Sequence, residues 1–327
     1  MPPGSVDSTS HASRAPRVGI DRSGDTAGIP TVLLTGASGA IGARLAPLLA
    51  READVQLRCL LRRPQATTLP PGARAVQGDA VSGEGLDEAL AGVEIVYYLI
   101  HSMGRGGQAD DFAARDRRAA ENFGRAAERA GVRRLIYLGG LSGGEATGSS
   151  EHLRSREEVA ELLAPHVPEL VHARAAMVIG AGGASFEMLR ALVRRLPAMI
   201  CPRWIDTRTQ PIAIDDVAAA LAALRDRHDV VGDVELGGPQ ALSYREMMER
   251  TARAMDRRAP LIVRVPVLTP RLSSYWVMLV TPVENGLVRP LVDGLREEML
   301  VRTPPPSGIN DSPRDFDAAV RIALAER

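Results

Sequence analysis

A glycine-rich turn stands between the first regular strand and the first helix that the sequence predicts. The turn reads Thr35-Gly36-Ala37-Ser38-Gly39-Ala40-Ile41-Gly42 and directly follows the apolar segment Thr31–Leu34. Gly36 allows a tight turn, Gly39 lets the backbone approach a pyrophosphate, and Gly42 lets the helix pack closely against the sheet. The unpaired amides at the start of that helix favour phosphate at the same point. We therefore predict a dinucleotide-binding turn over 36–42, the alternative being a vestigial loop.

Strands and helices alternate along the chain as far as about residue 180. The predicted strands are Thr31–Leu34, Val55–Leu61, Ala73–Gln77, Glu94–Ile100, Arg134–Leu138 and Leu170–Ile179. Such alternation predicts an α/β fold of Rossmann type, a doubly wound parallel sheet with helices on both faces. We predict a disordered leader over 1–29, a nucleotide-binding domain over 30–180, and a smaller, interleaved substrate-binding region over 181–327.

Two helix starts can be predicted in the C-terminal region. The segment Asp215–Leu224 has the composition of a helix capped by its aspartates. Further on, Ser243 and Glu246 have the spacing of a capping box, which predicts that a helix begins at this point.

The residues after the second and third strands indicate which dinucleotide binds. An NAD-binding protein usually has an acidic residue after the second strand, for the ribose 2′-hydroxyl. This chain has Arg62 and Arg63 there, and a guanidinium offers a planar, bidentate fork to a 2′-phosphate. We therefore predict a preference for NADP(H) over NAD(H), the alternative being a solvated basic turn. Asp79, after the third strand, is either an adenine contact or a plain turn aspartate.

The composition excludes several kinds of chemistry. The 40 basic and 40 acidic side chains cancel, which gives no reason to expect nucleic acid as a partner. All the basic residues are arginine, so Schiff-base catalysis, a pyridoxal phosphate lysine and a P-loop lysine are absent. The two cysteines, Cys59 and Cys201, are far apart, and we predict no metal site. Without a signal peptide or a membrane-spanning run, we expect a cytoplasmic protein.

Together these segments resemble a known superfamily. The glycine turn, the Asp79 turn, the strand end Tyr97–Ser102 and the late element Gln210–Val217 are similar to the atypical and extended short-chain dehydrogenase/reductases. The nearest resemblance is to NmrA-like NAD(P)H-binding proteins and to relatives of the nucleotide-binding accessory subunit of respiratory complex I. It covers about residues 31–300. It also implies that Met177, in the segment Met177–Gly180, passes beneath the nicotinamide and contacts it through the backbone.

The chain departs from the ordinary members of this superfamily at the catalytic pair. Those members carry a tyrosine and a lysine four residues apart on the helix after the fifth strand, and this chain has no lysine. His152 and Arg156 are four apart on the corresponding helix and share one face. His152 is a candidate proton donor, the alternative being a surface histidine. Arg156 is a candidate for holding a nicotinamide ribose or a substrate anion, the alternative being a salt bridge.

Two further candidates follow the central strands, where the ligand crevice of such a sheet opens. His101 follows the fourth strand and is either a pocket residue or a buried histidine. Ser142 follows the fifth strand, where the superfamily's active-site serine or threonine usually lies. Arg115, Arg117 and Arg118 lie among acidic residues and are interpreted as a solvated, ion-paired surface.

The leading hypothesis is an NADP(H)-dependent oxidoreductase acting on a small apolar carbonyl, enone or quinone-like substrate. The alternatives are a non-catalytic NADP(H)-sensing protein and a structural nucleotide-binding subunit. The expected partners are the small-molecule substrate and either a second copy of the chain or another protein.

Overall fold

The computed structural model describes residues 28–101, 109–142, 151–201, 203–264 and 297–326. The strands within these ranges are β1 (Thr31–Thr35), β2 (Gln56–Leu61), β3 (Arg74–Gln77), β4 (Val93–Tyr98), β5 (Arg134–Gly140), β6 (Glu169–Ala175), β7 (Val178–Ile179), β8 (Ala198–Cys201), β9 (Arg208–Thr209), β10 (Ile212–Ala213), β11 (Gly232–Leu236), β12 (Leu242–Ser243) and β13 (Leu261–Arg264). The helices are α1 (Gly42–Ala50), α2 (Leu86–Leu90), α3 (Ala109–Ala130), α4 (Glu151–Leu163), α5 (Ala184–Arg195), α6 (Ile214–Ala223), α7 (Tyr244–Ala254) and α8 (Phe316–Ala325). Nearly all of the predicted leader lies outside these residues.

A seven-stranded parallel sheet forms the centre of the molecule, in the order β11-β6-β5-β4-β1-β2-β3. Helices α1 and α6 pack on one face, and α2, α3 and α4 pack on the other. Because both faces are covered, β1 is apolar on both, with Val32 and Leu34 buried on one face and Leu33 on the other. The predicted α/β fold with a doubly wound parallel sheet is confirmed.

The strand order determines where a ligand crevice opens. The chain passes from β1 outward to β2 and β3, and then returns to the other side of β1 as β4. In such sheets the crevice lies beyond the carboxyl ends of the strands at this switch point. Thr35 bridges the two strand ends here: its hydroxyl donates to the Tyr97 carbonyl at 3.1 Å and accepts from the Leu99 amide at 2.9 Å.

The prediction of one continuous strand over Leu170–Ile179 is wrong, because the segment forms two strands. The chain leaves the main sheet after Ala175, and Val178–Ile179 pairs instead with Ile212–Ala213. The change of partner is made by the backbone, because the Ile212 amide donates to the Met177 carbonyl at 3.0 Å. A local apolar pattern could not show this change, since the new partner strand lies far along the chain.

The residues beyond 180 contribute to both the sheet and a second core. β11 pairs with β6 and forms one edge of the main sheet. The second core is built from α5, α7 and α8, and the short pairs β7–β10, β9–β12 and β8–β13 lie in the same region of the chain. The capping box of α7 is confirmed: the Ser243 hydroxyl accepts from the Glu246 amide at 3.2 Å, and Glu246 Oε2 accepts from the Ser243 amide at 2.7 Å.

The predicted aspartate caps of the preceding helix are wrong. Helix α6 begins after Ala213 without a side-chain cap. Asp215 and Asp216 lie in its first turn and pair instead with Arg44 and Arg314. Their charges favour the positive helix end, but their oxygens contact cations from distant segments.

Candidate cofactor and substrate site

The glycine turn forms a closely packed cradle at the carboxyl end of β1. Gly36 has a φ of +70°, and a Cβ there would lie 2.8 Å from the Leu99 carbonyl oxygen. A Cβ on Gly42 would lie 2.2 Å from the Gly36 oxygen. Only glycine fits at these two positions. Helix α1 then begins with Ile41 as its N-cap, with neither a side-chain cap nor an acidic residue in its first turn, so its amide end can receive an anion.

Two cavities adjoin this cradle. The larger has a volume of about 360 Å³ and extends from the cradle across the ends of β4, β5 and β6 to the second core. Its lining residues are Gly36, Gly39, Ala40, Ile41, Gly42, Leu99, His101, Leu138, Gly139, Gly140, Leu141, Leu153, Arg156, Ala175, Ala176, Met177, Val178, Gly182, Gly183, Ala184, Ser185, Met188, Ile214, Tyr244 and Met299. Most of them are apolar, and the charged or titratable exceptions are His101, Arg156 and Tyr244.

The smaller cavity, of about 300 Å³, lies beyond the ends of β2 and β3 and is more polar. Its lining residues are Gly36, Ser38, Gly39, Leu60, Leu61, Arg62, Gly78, Asp79, Ala80, Val81, Leu99, Ile100, His101 and Arg115. Arg62 is among them and Arg63 is not, although both residues are exposed. One carboxylate oxygen of Asp79 accepts from the Val81 amide at 2.7 Å, so Asp79 holds its turn while it lines the cavity.

His101 lies where the two cavities meet, because it lines both. Its Nδ1 is 2.9 Å from Oδ2 of Asp116, a buried carboxylate on α3. Burial is the main cause that lowers the pKa of His101, and the nearby Arg156 guanidinium lowers it further, while Asp116 opposes both. The carboxylate orients the ring, as it does in other His–carboxylate pairs.

Arg156 is buried in the wall of the larger cavity. Its guanidinium carbon lies 4.9 Å from the centre of the Tyr137 ring, and its Nη2 donates to the Leu138 carbonyl. Its other terminal nitrogen, Nη1, is buried without a hydrogen-bond partner among the described residues. Because an unpaired buried donor is costly, the cavity wall holds a cation ready for an acceptor.

The remaining predicted site residues differ in whether they line a cavity. Met177 lines the larger cavity, but its carbonyl already accepts from Ile212. Ser142 lines neither cavity and instead contacts Arg174 and Glu157, its Oγ being 3.3 Å from Glu157 Oε1. His152 lies in α4, one turn before Arg156, and its side chain is outside the described part.

Arg115 and Tyr244 line the cavities but were not predicted as site residues. Arg115 lies on α3, lines the smaller cavity, and makes no hydrogen bond or ion pair with another described residue. The interpretation of the α3 arginines as an ion-paired surface therefore holds for Arg117, which pairs with Glu158 at 2.7 Å, and is wrong for Arg115. Tyr244 comes from the second core, about 90 residues after Arg156, and no local pattern links the two.

Within the described ranges, no helix is long and apolar enough to cross a membrane. The same ranges contain no group of three or more His, Cys, Asp or Glu residues arranged to hold a metal ion.

Comparison with known proteins agrees with this geometry. Residues 36–191 match a family model described as NAD(P)H-binding. The chain is 30% identical over 230 residues, 69% of its length and 74% of the relative's, to (4-alkanoyl-5-oxo-2,5-dihydrofuran-3-yl)methyl phosphate reductase of Streptomyces griseus subsp. griseus.

Solved structures show the same fold at lower identity. Triphenylmethane reductase of Citrobacter sp., complexed with NADP(H), has a TM-score of 0.71 at 18% identity, covering 90% of this chain and 100% of that one. A nucleoside-diphosphate-sugar epimerase of Staphylococcus aureus has a TM-score of 0.68 at 18% identity, covering 89% and 99%. With the glycine cradle in place, the chain is an NAD(P)H-binding, reductase-like member of the atypical short-chain dehydrogenase/reductase superfamily.

Proposed function

We propose that this protein is an NADPH-dependent reductase of a small, apolar carbonyl, enone or quinone-like compound. The observation that carries the proposal is the position of His101, which is oriented by Asp116 and lies where the two cavities meet. On one side of His101 lies the smaller, polar cavity with its two arginines, which suits the adenosine end of a dinucleotide. The apolar cavity on the other side suits a nicotinamide and a substrate.

The cofactor preference is supported by two arginines from different elements. Arg62 follows β2 and Arg115 comes from α3, and both line the smaller cavity with Asp79. A 2′-phosphate would meet two guanidinium groups there, whereas no acidic residue follows β2 to accept a ribose 2′-hydroxyl. We therefore propose that Arg62 and Arg115 together favour NADP(H) over NAD(H).

Bound NADPH supplies a hydride, and the protein supplies orientation and a proton. His101 is the described residue best placed to exchange that proton, since it lines the substrate cavity and Asp116 fixes its ring. With its Nδ1 proton held on Asp116, the opposite ring nitrogen is the one that would exchange a proton. His152 stays a second candidate, one helical turn from Arg156.

Arg156 takes a positioning role in this proposal. Its buried Nη1 would donate to a nicotinamide ribose or to an anionic group of the substrate. The Streptomyces relative is consistent with a carbonyl substrate and with an anion-binding role for Arg156. The substrate in its name carries alkanoyl and oxo groups together with a phosphate.

The test is NADPH oxidation with a panel of ketones, enones and quinones, using wild-type protein and His101→Gln. We expect turnover by the wild type and a loss of about 10²–10⁴-fold in the variant, the usual range for general acid–base catalysis. Because the pKa of His101 is lowered, its protonated fraction falls as the pH rises above that pKa, so the reduction should slow with rising pH. Asp116→Asn should move this transition to lower pH, because Asp116 raises the pKa.

A matched control is available in a second histidine whose carboxylate partner also lies on α3. His166 pairs with Glu128 at 2.7 Å and lines neither cavity, so His166→Gln should keep full activity. Full activity in His101→Gln, with a loss in His152→Ala, would move the proton to His152. NADPH binding without oxidation of any panel compound would favour the sensing protein instead.

A further inference from the structure

Tyr244, in the wall of the larger cavity, carries a buried hydroxyl that is an unused hydrogen-bond donor. Tyr244 is the first residue of α7, is 3% exposed, and lines the cavity. Its hydroxyl oxygen is buried without a hydrogen-bond partner among the described residues. Burying a hydroxyl without a partner is unfavourable, so the fold keeps this group at a cost in stability. A ligand oxygen that reaches the hydroxyl from the cavity would remove that cost.

Its surroundings hold the ring in place. The capping box between Ser243 and Glu246 fixes the start of α7, and the Tyr244 ring packs edge-on against Trp204 with the centroids 6.2 Å apart. The indole nitrogen of Trp204 is likewise buried without a partner among the described residues. Two neighbouring aromatic rings thus bring unpaired donors to the same part of the second core.

The chemistry around Tyr244 selects an uncharged acceptor. The neighbouring cavity residues from this part of the chain include Met188, Ile214 and Met299, which are apolar. Burial alone raises the pKa of the Tyr244 phenol, so the hydroxyl stays protonated and donates. The arginine and the histidine of the cavity, Arg156 and His101, come from the other half of the fold.

We propose that the Tyr244 hydroxyl binds the carbonyl oxygen of the substrate and selects ketones, enones or quinones over hydrocarbons of the same shape. The proposal rests on the proposed reductase function, because that function identifies the ligand as the substrate. Its test is a binding measurement, so it can fail or succeed independently of turnover. Tyr244 is a substrate-positioning residue in this proposal, and the proton still comes from elsewhere.

The experiment compares three matched pairs of ligands by calorimetry, on the full chain with and without NADP⁺. The pairs are acetophenone with ethylbenzene, 4-phenyl-3-buten-2-one with 1-phenyl-1-butene, and 2-methyl-1,4-naphthoquinone with 2-methylnaphthalene. We expect the wild type to bind at least one carbonyl compound more tightly than its hydrocarbon. Tyr244→Phe should weaken binding of that compound roughly 3- to 10-fold, the effect of one hydrogen bond, and leave the hydrocarbon unchanged.

Tyr97→Phe is the matched control. The Tyr97 hydroxyl is buried away from both cavities and donates to the Leu221 carbonyl at 3.1 Å. Its removal should lower the melting temperature and leave ligand binding unchanged, whereas Tyr244→Phe should keep or raise the melting temperature. The proposal is overturned if the wild type does not prefer any carbonyl compound, if Tyr244→Phe binds like the wild type, or if it is destabilised as Tyr97→Phe is. Absence of NADPH oxidation would count against the reductase alone.

Discussion

At the scale of single residues, neighbouring arginines have different surroundings. Arg62 lines the smaller cavity and Arg63 does not; on α3, Arg115 lines it and the exposed Arg118 does not. We predict that Arg62→Ala and Arg115→Ala each weaken NADPH binding about 10-fold or more, the effect of losing a charge-assisted contact of about 1.5–3 kcal/mol. NADH binding should change little, because NADH lacks the 2′-phosphate.

The neighbouring arginines provide the controls for this prediction. Arg63→Ala and Arg118→Ala remove the same charge from nearby exposed positions, so they should change NADPH affinity only through long-range attraction, which salt screens. Titrations of all four variants with NADPH and NADH at two salt concentrations separate the effects. Equal losses in all four would show that general positive charge, and not the cavity, binds the cofactor.

At the scale of elements, a single arginine joins β5 to the segment between α6 and β11. The Arg134 side chain is fully buried and donates to the carbonyls of Leu224, Arg227 and Val230 at 2.9–3.2 Å. It also pairs with Glu169 at 2.6 Å. These bonds satisfy backbone oxygens where the chain turns toward the edge strand.

Arg134→Met should therefore destabilise the protein by about 3 kcal/mol, because it leaves the buried carbonyls without their donor and Glu169 with only His228 as a partner. Denaturant unfolding at neutral pH measures the change. Arg133→Met, at the exposed neighbouring position, should change stability by less than about 0.5 kcal/mol. If Arg134→Met is as stable as Arg133→Met, the apolar contacts of β5 are enough to stabilise this edge of the sheet.

At the scale of the whole molecule, stability in acid should depend on a buried histidine. His172 on β6 stacks on Tyr137 with centroids 5.0 Å apart, and its Nδ1 is 3.1 Å from Asp233. The pKa of His172 is lowered to about 4, chiefly by burial and with a contribution from the charge of Arg174, while Asp233 opposes the lowering. The native state thus holds this ring neutral, whereas the unfolded chain protonates it near pH 6.5.

The sign of the effect follows from this difference. A lowered pKa gives a stabilisation that is complete above pH 6.5 and is lost as the pH falls toward 4. Between these limits the wild type should lose up to about 3 kcal/mol more than His172→Gln. Unfolding free energies at pH 7, 5.5 and 4.5 measure it, with His228→Gln as an exposed control. Parallel pH curves for wild type and His172→Gln would contradict the prediction.

Several features of the molecule depend only on near neighbours in the chain. The glycine turn, the alternation of strands and helices, and the capping box of Ser243 all result from backbone conformation or from contacts within six residues. Such features are encoded locally, so the fold class could be predicted from them. The superfamily resemblance rested on the same segments.

Tertiary structure alone decided which side chains meet. His101 and Asp116 are 15 residues apart, Arg62 and Arg115 are 53 apart, and Arg156 and Tyr244 are 88 apart, yet each pair lies together in a contact or a cavity wall. The switch of strand partner after Ala175 depends in the same way on Ile212. A cavity is bounded by residues that pack together from distant segments, and a local pattern carries no information about which segments those are. The sequence therefore predicted a nucleotide site, and only the packing of two cores around it showed which residues face a substrate.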